Sequence, residues 1–281
     1  MSMAEKGTPA DMKRTHFVLV HGIGGGAWCW YKIRGLVENC NTPNPYPTRI
    51  RNCGYKVSCI DLKGAGIDRA DTSTILSFDD YNQPLVDFMS ALPDTEKVIL
   101  VGHSAGGLSV TQATHRLPNK IRLAVYVAAT MLKSGFFTDQ DVKDGVPDLS
   151  QFGDVYELGF GLGAEQPPTS AIVKKEFQCK IIYQMSPLVD STLAEMVLRL
   201  GPVLAPRSAR FEEEDGESVE KVGRVYIRTM HDNVVIPEQQ EAMIKKWPPC
   251  QVYALANSFF SAPFSLFGLL LKFAATSGGC N

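Results

Sequence analysis

The chain has few histidines, and none in its C-terminal part. The five lie at positions 16, 21, 103, 115 and 231 of 281 residues, so the whole C-terminal stretch after His231 has none. Charge imbalance is also missing. Lys plus Arg number 28 against 30 Asp plus Glu, a formal net charge of -2. That excludes a basic field for nucleic acid and an acidic tail. No apolar run is long enough to span a bilayer; the best, Phe264–Ala275, is short and interrupted by Lys272, so no membrane partner is expected. Residues 1–14 are polar, lack the apolar core of a secretory signal and read as a disordered tail. The seven cysteines show no C-x-x-C pairs and no histidine partners. This argues against a zinc site and suits reduced thiols in a cytoplasmic protein.

What is present is an ordinary globule, 44% hydrophobic and 21% charged. Its most informative stretch is Lys97–Gly107. The apolar, largely β-branched run Val98–Val101 predicts a buried strand, and Gly107 onward predicts a helix stopped by Pro118. Between them, Gly102-His-Ser-Ala-Gly106 fits G-x-S-x-G, a sharp strand-to-helix turn that exposes a serine. The flanking glycines suit a turn that brings backbone segments close. Ser104 is therefore the candidate nucleophile, and the start of the next helix offers unpaired N–H groups to a developing oxyanion.

A second glycine loop, Gly22-Ile-Gly-Gly-Gly26, follows the predicted strand His16–Val20. Its spacing does not fit the dinucleotide fingerprint, no Gly-Lys-Ser/Thr follows, and no acidic residue is placed for a ribose. It reads instead as an oxyanion loop, with the amides of Ile23 and Ala105 as the two donors. A helical pattern covers Ala27–Val37. Asn39–Cys53, with three prolines and no periodicity, predicts an exposed loop. Further strands are predicted at Tyr55–Asp61, Ile121–Val127, Gly223–Arg228 and Gln251–Leu255. Further helices are predicted at Phe78–Leu92, Pro237–Trp247 and Ala262–Ala275. The rhythm breaks from about 130 to 219, which reads as an inserted cap over the strand ends; its acidic cluster at Glu212–Glu217 is a solvated loop. The expected architecture is one α/β domain over 15–281, with a mostly parallel, doubly covered sheet.

A serine hydroxyl needs a base, and the base needs a third group to hold it. In this arrangement the chain order is Ser, then an acid, then His. Asp232, just past a late strand, is the candidate acid. The histidine should follow the last strand, yet Leu255-Ala-Asn-Ser-Phe-Phe-Ser261 holds none. Asn257 and Ser258 cannot take a proton at neutral pH. The other histidines are poor substitutes. His231 adjoins Asp232, but neighbours in an extended stretch face opposite ways. His21 reads as structural, His103 points away from the pocket, His115 lies down the helix and His16 at the far strand end.

With these residues the chain resembles the plant methylesterase family of α/β-hydrolases, relatives of hydroxynitrile lyases. The matching pieces are Phe17-Val-Leu-Val-His-Gly22, Trp28-Cys-Trp-Tyr-Lys32, Cys59-Ile-Asp-Leu-Lys-Gly64, Val101-Gly-His-Ser-Ala-Gly-Gly107, Asp144-Gly-Val-Pro-Asp148, and Val225-Tyr-Ile227 with Pro237-Glu-Gln-Gln240. The resemblance implies an α/β-hydrolase fold, Ser104 as nucleophile, Asp232 as acid, and hydrolysis of small methyl esters without cofactor or metal. Among its branches the chain looks closest to the one acting on methyl indole-3-acetate. A homodimer stays open. Two departures stand out. Residues 40–52 look inserted, and the family's last catalytic loop, normally like Asp-His-Ser-Pro-Phe-Phe-Ser, is a few residues short. The expectation is a hydrolase impaired by loss of its base. The competing reading is a non-catalytic binder of small ligands. A hydroxynitrile lyase would need the same base, a Thr where Gly22 stands and a Lys beside the loop histidine.

Overall fold

The structure is a computed structural model that describes residues 15–39, 55–212, 219–256 and 260–276. The predicted tail at 1–14 and the predicted loop at 40–52 lie outside the described residues, as do Asn257, Ser258 and Phe259.

Six parallel strands form the central sheet. In chain order they are β1 (His16–Val20), β2 (Lys56–Ile60), β3 (Val98–His103) and β4 (Ile121–Val127), then, after the cap segment, β8 (Gly223–Thr229) and β9 (Gln251–Leu255). Their order across the sheet is β2-β1-β3-β4-β8-β9, with every neighbouring pair parallel. The inner strands are mostly apolar because helices cover both faces; β1 is buried at every residue. Helices α1 (Tyr31–Asn39) and α9 (Pro263–Ala275) contribute to one core, with Trp30, Ile33, Leu266 and Leu270 packed on Phe17, Leu19 and Val101. Helices α2 (Phe78–Ser90), α3 (Gly106–Arg116) and α8 (Pro237–Lys246) contribute to the other, around Leu85, Val110, Tyr126 and Met243. Each residue alternates sides along a strand, so β1 sends Phe17 and Leu19 to one core and Val18 and Val20 to the other.

Among the described residues the segment between β4 and β8 holds four α-helices, α4 (Asp139–Gly145), α5 (Lys175–Ile181), α6 (Leu188–Val197) and α7 (Leu204–Arg207). It also holds a separate antiparallel sheet of β5 (Tyr156–Gly159), β6 (Ser170–Val173) and β7 (Gly201–Pro202). One buried group ties this segment to the core. Asp190 of α6 is fully buried and accepts from the Tyr31 hydroxyl and the Lys32 ammonium of α1. Lys32 also donates to the Phe260 carbonyl at 3.1 Å, so three remote pieces of chain meet there.

Two expectations need correcting. Ala27–Trp30 is a 3-10 turn that precedes α1 rather than its first α-helical turn. The thiols are not all reduced: Cys29, Cys59 and Cys179 are free, but Cys250 is disulfide-bonded.

Candidate active site

β3 ends in a bend that α-helical packing forces. Ser104 has φ of 53°, in the left-handed region that a non-glycine residue enters at a cost of about 1–3 kcal/mol. Its neighbours explain why it stays there. The Ser104 N–H donates to the Val127 carbonyl, and its carbonyl accepts from Gly107 and Thr130. The bend is also too tight for side chains beside it. A Cβ on Gly102 would come within 2.5 Å of the Gly106 carbonyl oxygen, and one on Gly106 within 2.5 Å of the His21 carbonyl oxygen. Ala128, at the end of neighbouring β4, has φ of 43° and borders the same cavity.

The glycine loop after β1 passes directly against the bend. A Cβ on Gly22 would come within 2.8 Å of the Ser104 Cβ. Gly25 donates to the Gly22 carbonyl at 3.2 Å across a tight turn, and Gly24 supplies the positive φ of 72° that the turn needs. The loop is braced from three sides. Asp61 accepts from the Ala27 N–H at 2.6 Å, Gly66 donates to the Gly25 carbonyl, and Arg199 from the cap segment donates its backbone N–H to the Gly24 carbonyl at 3.0 Å. Among the described residues, the backbone N–H groups of Ile23 and Ala105 make no hydrogen bond. Both residues border the cavity beside Ser104.

Asp232 follows β8 in a turn of its own making. Its Oδ1 accepts from the N–H groups of Val234 at 2.8 Å and Val235 at 3.0 Å, and its Oδ2 accepts from the Thr229 hydroxyl at 3.0 Å. The buried Gln240 amide then grips Thr229 on both sides, accepting from its N–H and donating to its carbonyl. Burial raises the Asp232 pKa above its ordinary value, against the pull of its three donors.

The histidines sit elsewhere in the hydrogen-bond network. His16 joins Glu96 and Ser58, and His115 contacts the Lys133 carbonyl. His21 contacts the Gly22 carbonyl at 2.6 Å and the Leu62 N–H at 3.1 Å. His231 is exposed, and the Gln184 amide of the cap segment donates to its carbonyl. His103 borders the cavity with Ser104, but its ring lies edge-on to the core residue Trp30, and burial pushes its pKa down to about 3. Among the described residues no hydrogen bond joins the Ser104 hydroxyl to an imidazole.

The structure brings Gly22, Ile23, Ser104, Ala105 and Asp232 to the wall of one cavity of about 670 Å³. The cap segment supplies most of the remaining wall, including Leu158, Ile172, Tyr183 and Arg199, which no local sequence pattern marks. The grip of Gln240 on Thr229 was equally invisible, since it spans eleven residues and two elements. Among the described residues no group of three or more His, Cys, Asp or Glu side chains could hold a metal ion.

The family described as alpha/beta hydrolase fold matches residues 15–264, and this is the class to which the sheet order and the serine bend conform. Within that class, methylesterase 17 of Arabidopsis thaliana is 54% identical over 271 residues, covering 95% of this chain and 94% of the relative. A pheophorbidase of Raphanus sativus is 41% identical over 267 residues, covering 94% of this chain and 95% of the relative. The crystal structure of the methylesterase MES16 from Arabidopsis superposes with a TM-score of 0.77 at 37% identity, covering 93% of this chain and 99% of that one. Tomato methylketone synthase I, crystallised with 2-tridecanone, gives 0.80 at 31% identity, covering 93% and 98%. The chain belongs to the plant methylesterase family of α/β-hydrolases, and is by family a carboxylic ester hydrolase.

Proposed function

We propose that this chain takes small methyl esters of carboxylic acids, methyl indole-3-acetate among them, into the cavity above Ser104. The reaction is acyl transfer through the serine. The Ser104 oxygen attacks the ester carbonyl and gives up its proton. The tetrahedral oxyanion accepts hydrogen bonds from the Ile23 and Ala105 amides, and methanol leaves with a proton. Water then cleaves the acyl-enzyme and releases the acid. The observation that carries this reading is the serine held at φ of 53° on the cavity wall, next to two backbone donors that bond nothing among the described residues.

The proton is the difficulty. Asp232 is held as an acid that orients a base would be, yet the chain has no histidine after position 231. Without an imidazole the serine is a weak nucleophile, and turnover is reduced by several orders of magnitude, leaving what the oxyanion donors and binding supply. Hydrolysis in the cytoplasm, on a hormone-type ester, is the setting this reading implies.

A second reading follows from the same fact. A cavity of about 670 Å³ without a base can still bind. Labelling with a fluorophosphonate and assay of p-nitrophenyl and methyl esters separate the two. Slow labelling lost in Ser104→Ala, with weak but serine-dependent turnover, supports the impaired hydrolase. Tight binding of an aromatic acid with no labelling supports the binder. Turnover at the rate of an intact triad would show that another group is the base.

A further inference from the structure

We infer that His21 is a positioning residue that aims the Ile23 N–H at the substrate oxygen by fixing the carbonyl of the peptide unit they share. The inference rests on the reading of Ile23 as an oxyanion donor.

The geometry is that of one flat unit. The Gly22 carbonyl and the Ile23 N–H belong to the same trans peptide, so they point in opposite directions and rotate together. Whatever holds the carbonyl sets the direction of the N–H. Two donors hold it, the His21 ring at 2.6 Å and the Gly25 N–H at 3.2 Å. The shorter bond comes from Nδ1. The other ring nitrogen, Nε2, accepts from the Leu62 N–H at 3.1 Å, so it carries no proton. The two partners thereby select one neutral tautomer, with the hydrogen on Nδ1. His21 is fully buried, and burial lowers its pKa, which keeps this tautomer through the neutral range.

The arrangement leaves the loop little freedom. The Ile23 side chain lies close against the Gly201 backbone, with too little room between them for even a Cβ on Gly201, which would come within 2.4 Å of it. Rotation of the peptide is therefore the main way to lose the donor, and the imidazole opposes it. Donation into the carbonyl also polarises the amide, which strengthens the N–H as a donor.

Two conservative substitutions divide the ring's two bonds. The amide nitrogen of His21→Asn reaches the place of Nδ1 and keeps the Gly22 contact. The amide of His21→Gln reaches the place of Nε2 and keeps the Leu62 contact only. Phosphonylation of Ser104 by a fluorophosphonate, timed by mass spectrometry, reads oxyanion support. Binding of indole-3-acetic acid by calorimetry reads the cavity alone. Phosphonylation is expected within threefold of the parent rate in His21→Asn and about 10–100-fold slower in His21→Gln. The acid should bind all three proteins within threefold. Equal rates in both variants, or the reverse order, overturn the inference. In isotope-labelled protein the Ile23 amide resonance should shift in His21→Gln and stay near the parent position in His21→Asn. That readout decides where phosphonylation is too slow to time. Labelling unchanged in Ser104→Ala would instead sink the serine reading, and this inference with it.

Discussion

The two halves of the cavity wall tolerate change unequally. On one side are the bend at 102–107 and the loop at 21–27, where strand, turn and helix touch through backbone atoms. A single methyl group at Gly22, Gly102 or Gly106 would overlap a neighbour at 2.8 Å or closer. On the other side Asp232 sits in a turn closed by its own carboxylate and steadied by Thr229 and Gln240. Nothing in that turn requires an imidazole. On the function proposed above, the difference is how a fold would keep its serine bend while losing the base. The bend is part of how sheet and helix pack, so damaging it costs stability. On the same reading a base would come from a loop past the last strand, and its loss would cost chemistry first.

The sharpest way to test this contrast is to rebuild the second half. Inserting Asp-His-Ser ahead of the Phe259-Phe260 pair is expected to raise hydrolysis of a p-nitrophenyl ester by about 10⁴-fold, the scale of a triad histidine's contribution. No gain would mean that the first half is damaged as well. Asp232→Asn should then cost about 10³-fold in the rebuilt protein and less than threefold in the present one, since the acid acts through an imidazole. A large loss in the present protein would break the contrast, because it would give Asp232 a partner that the described residues do not show.

Stability should divide the same way. Gly106→Ala is expected to lose about 3 kcal/mol by chemical denaturation, because the clash is with the His21 and Val20 carbonyls rather than a movable side chain. Thr229→Val removes one donor from Asp232 and should lose about 1 kcal/mol. The pH dependence of stability has opposite signs in the two halves. His103 has its pKa held near 3 by burial, so the unfolded chain takes up its proton from about 6.5 downward while the folded one does not. Stability should fall as pH drops through that window, and His103→Gln should remove that fall. Asp232 is raised above 3.8 by burial, so the folded chain holds its proton longer than the unfolded one. Its penalty sets in as pH rises through the carboxylate range and should be absent in Asp232→Asn. Denaturation curves between pH 4 and pH 8 read both slopes.

The parts of this molecule legible in the sequence are those governed by short-range rules. Strands β1, β3 and β4 stand out because a parallel strand buried on both faces must be apolar at nearly every position. The bend stands out because only glycine fits at positions 102 and 106, two residues either side of Ser104. The sheet of β5, β6 and β7 gives no such signal. Tyr156, Glu157 and Leu158 are exposed, and Gly201–Pro202 is too brief to show a period. The ring contacts of His21 were equally hidden, since they depend on Leu62 arriving from another strand's end. The meeting of Lys32 with Asp190 spans 158 residues, a distance at which a single sequence carries no pairing information.

That buried carboxylate has a bearing on how anything enters. Lifting α6 away from α1 would separate a buried carboxylate from its phenol and ammonium partners. The roof is in effect bolted at that corner.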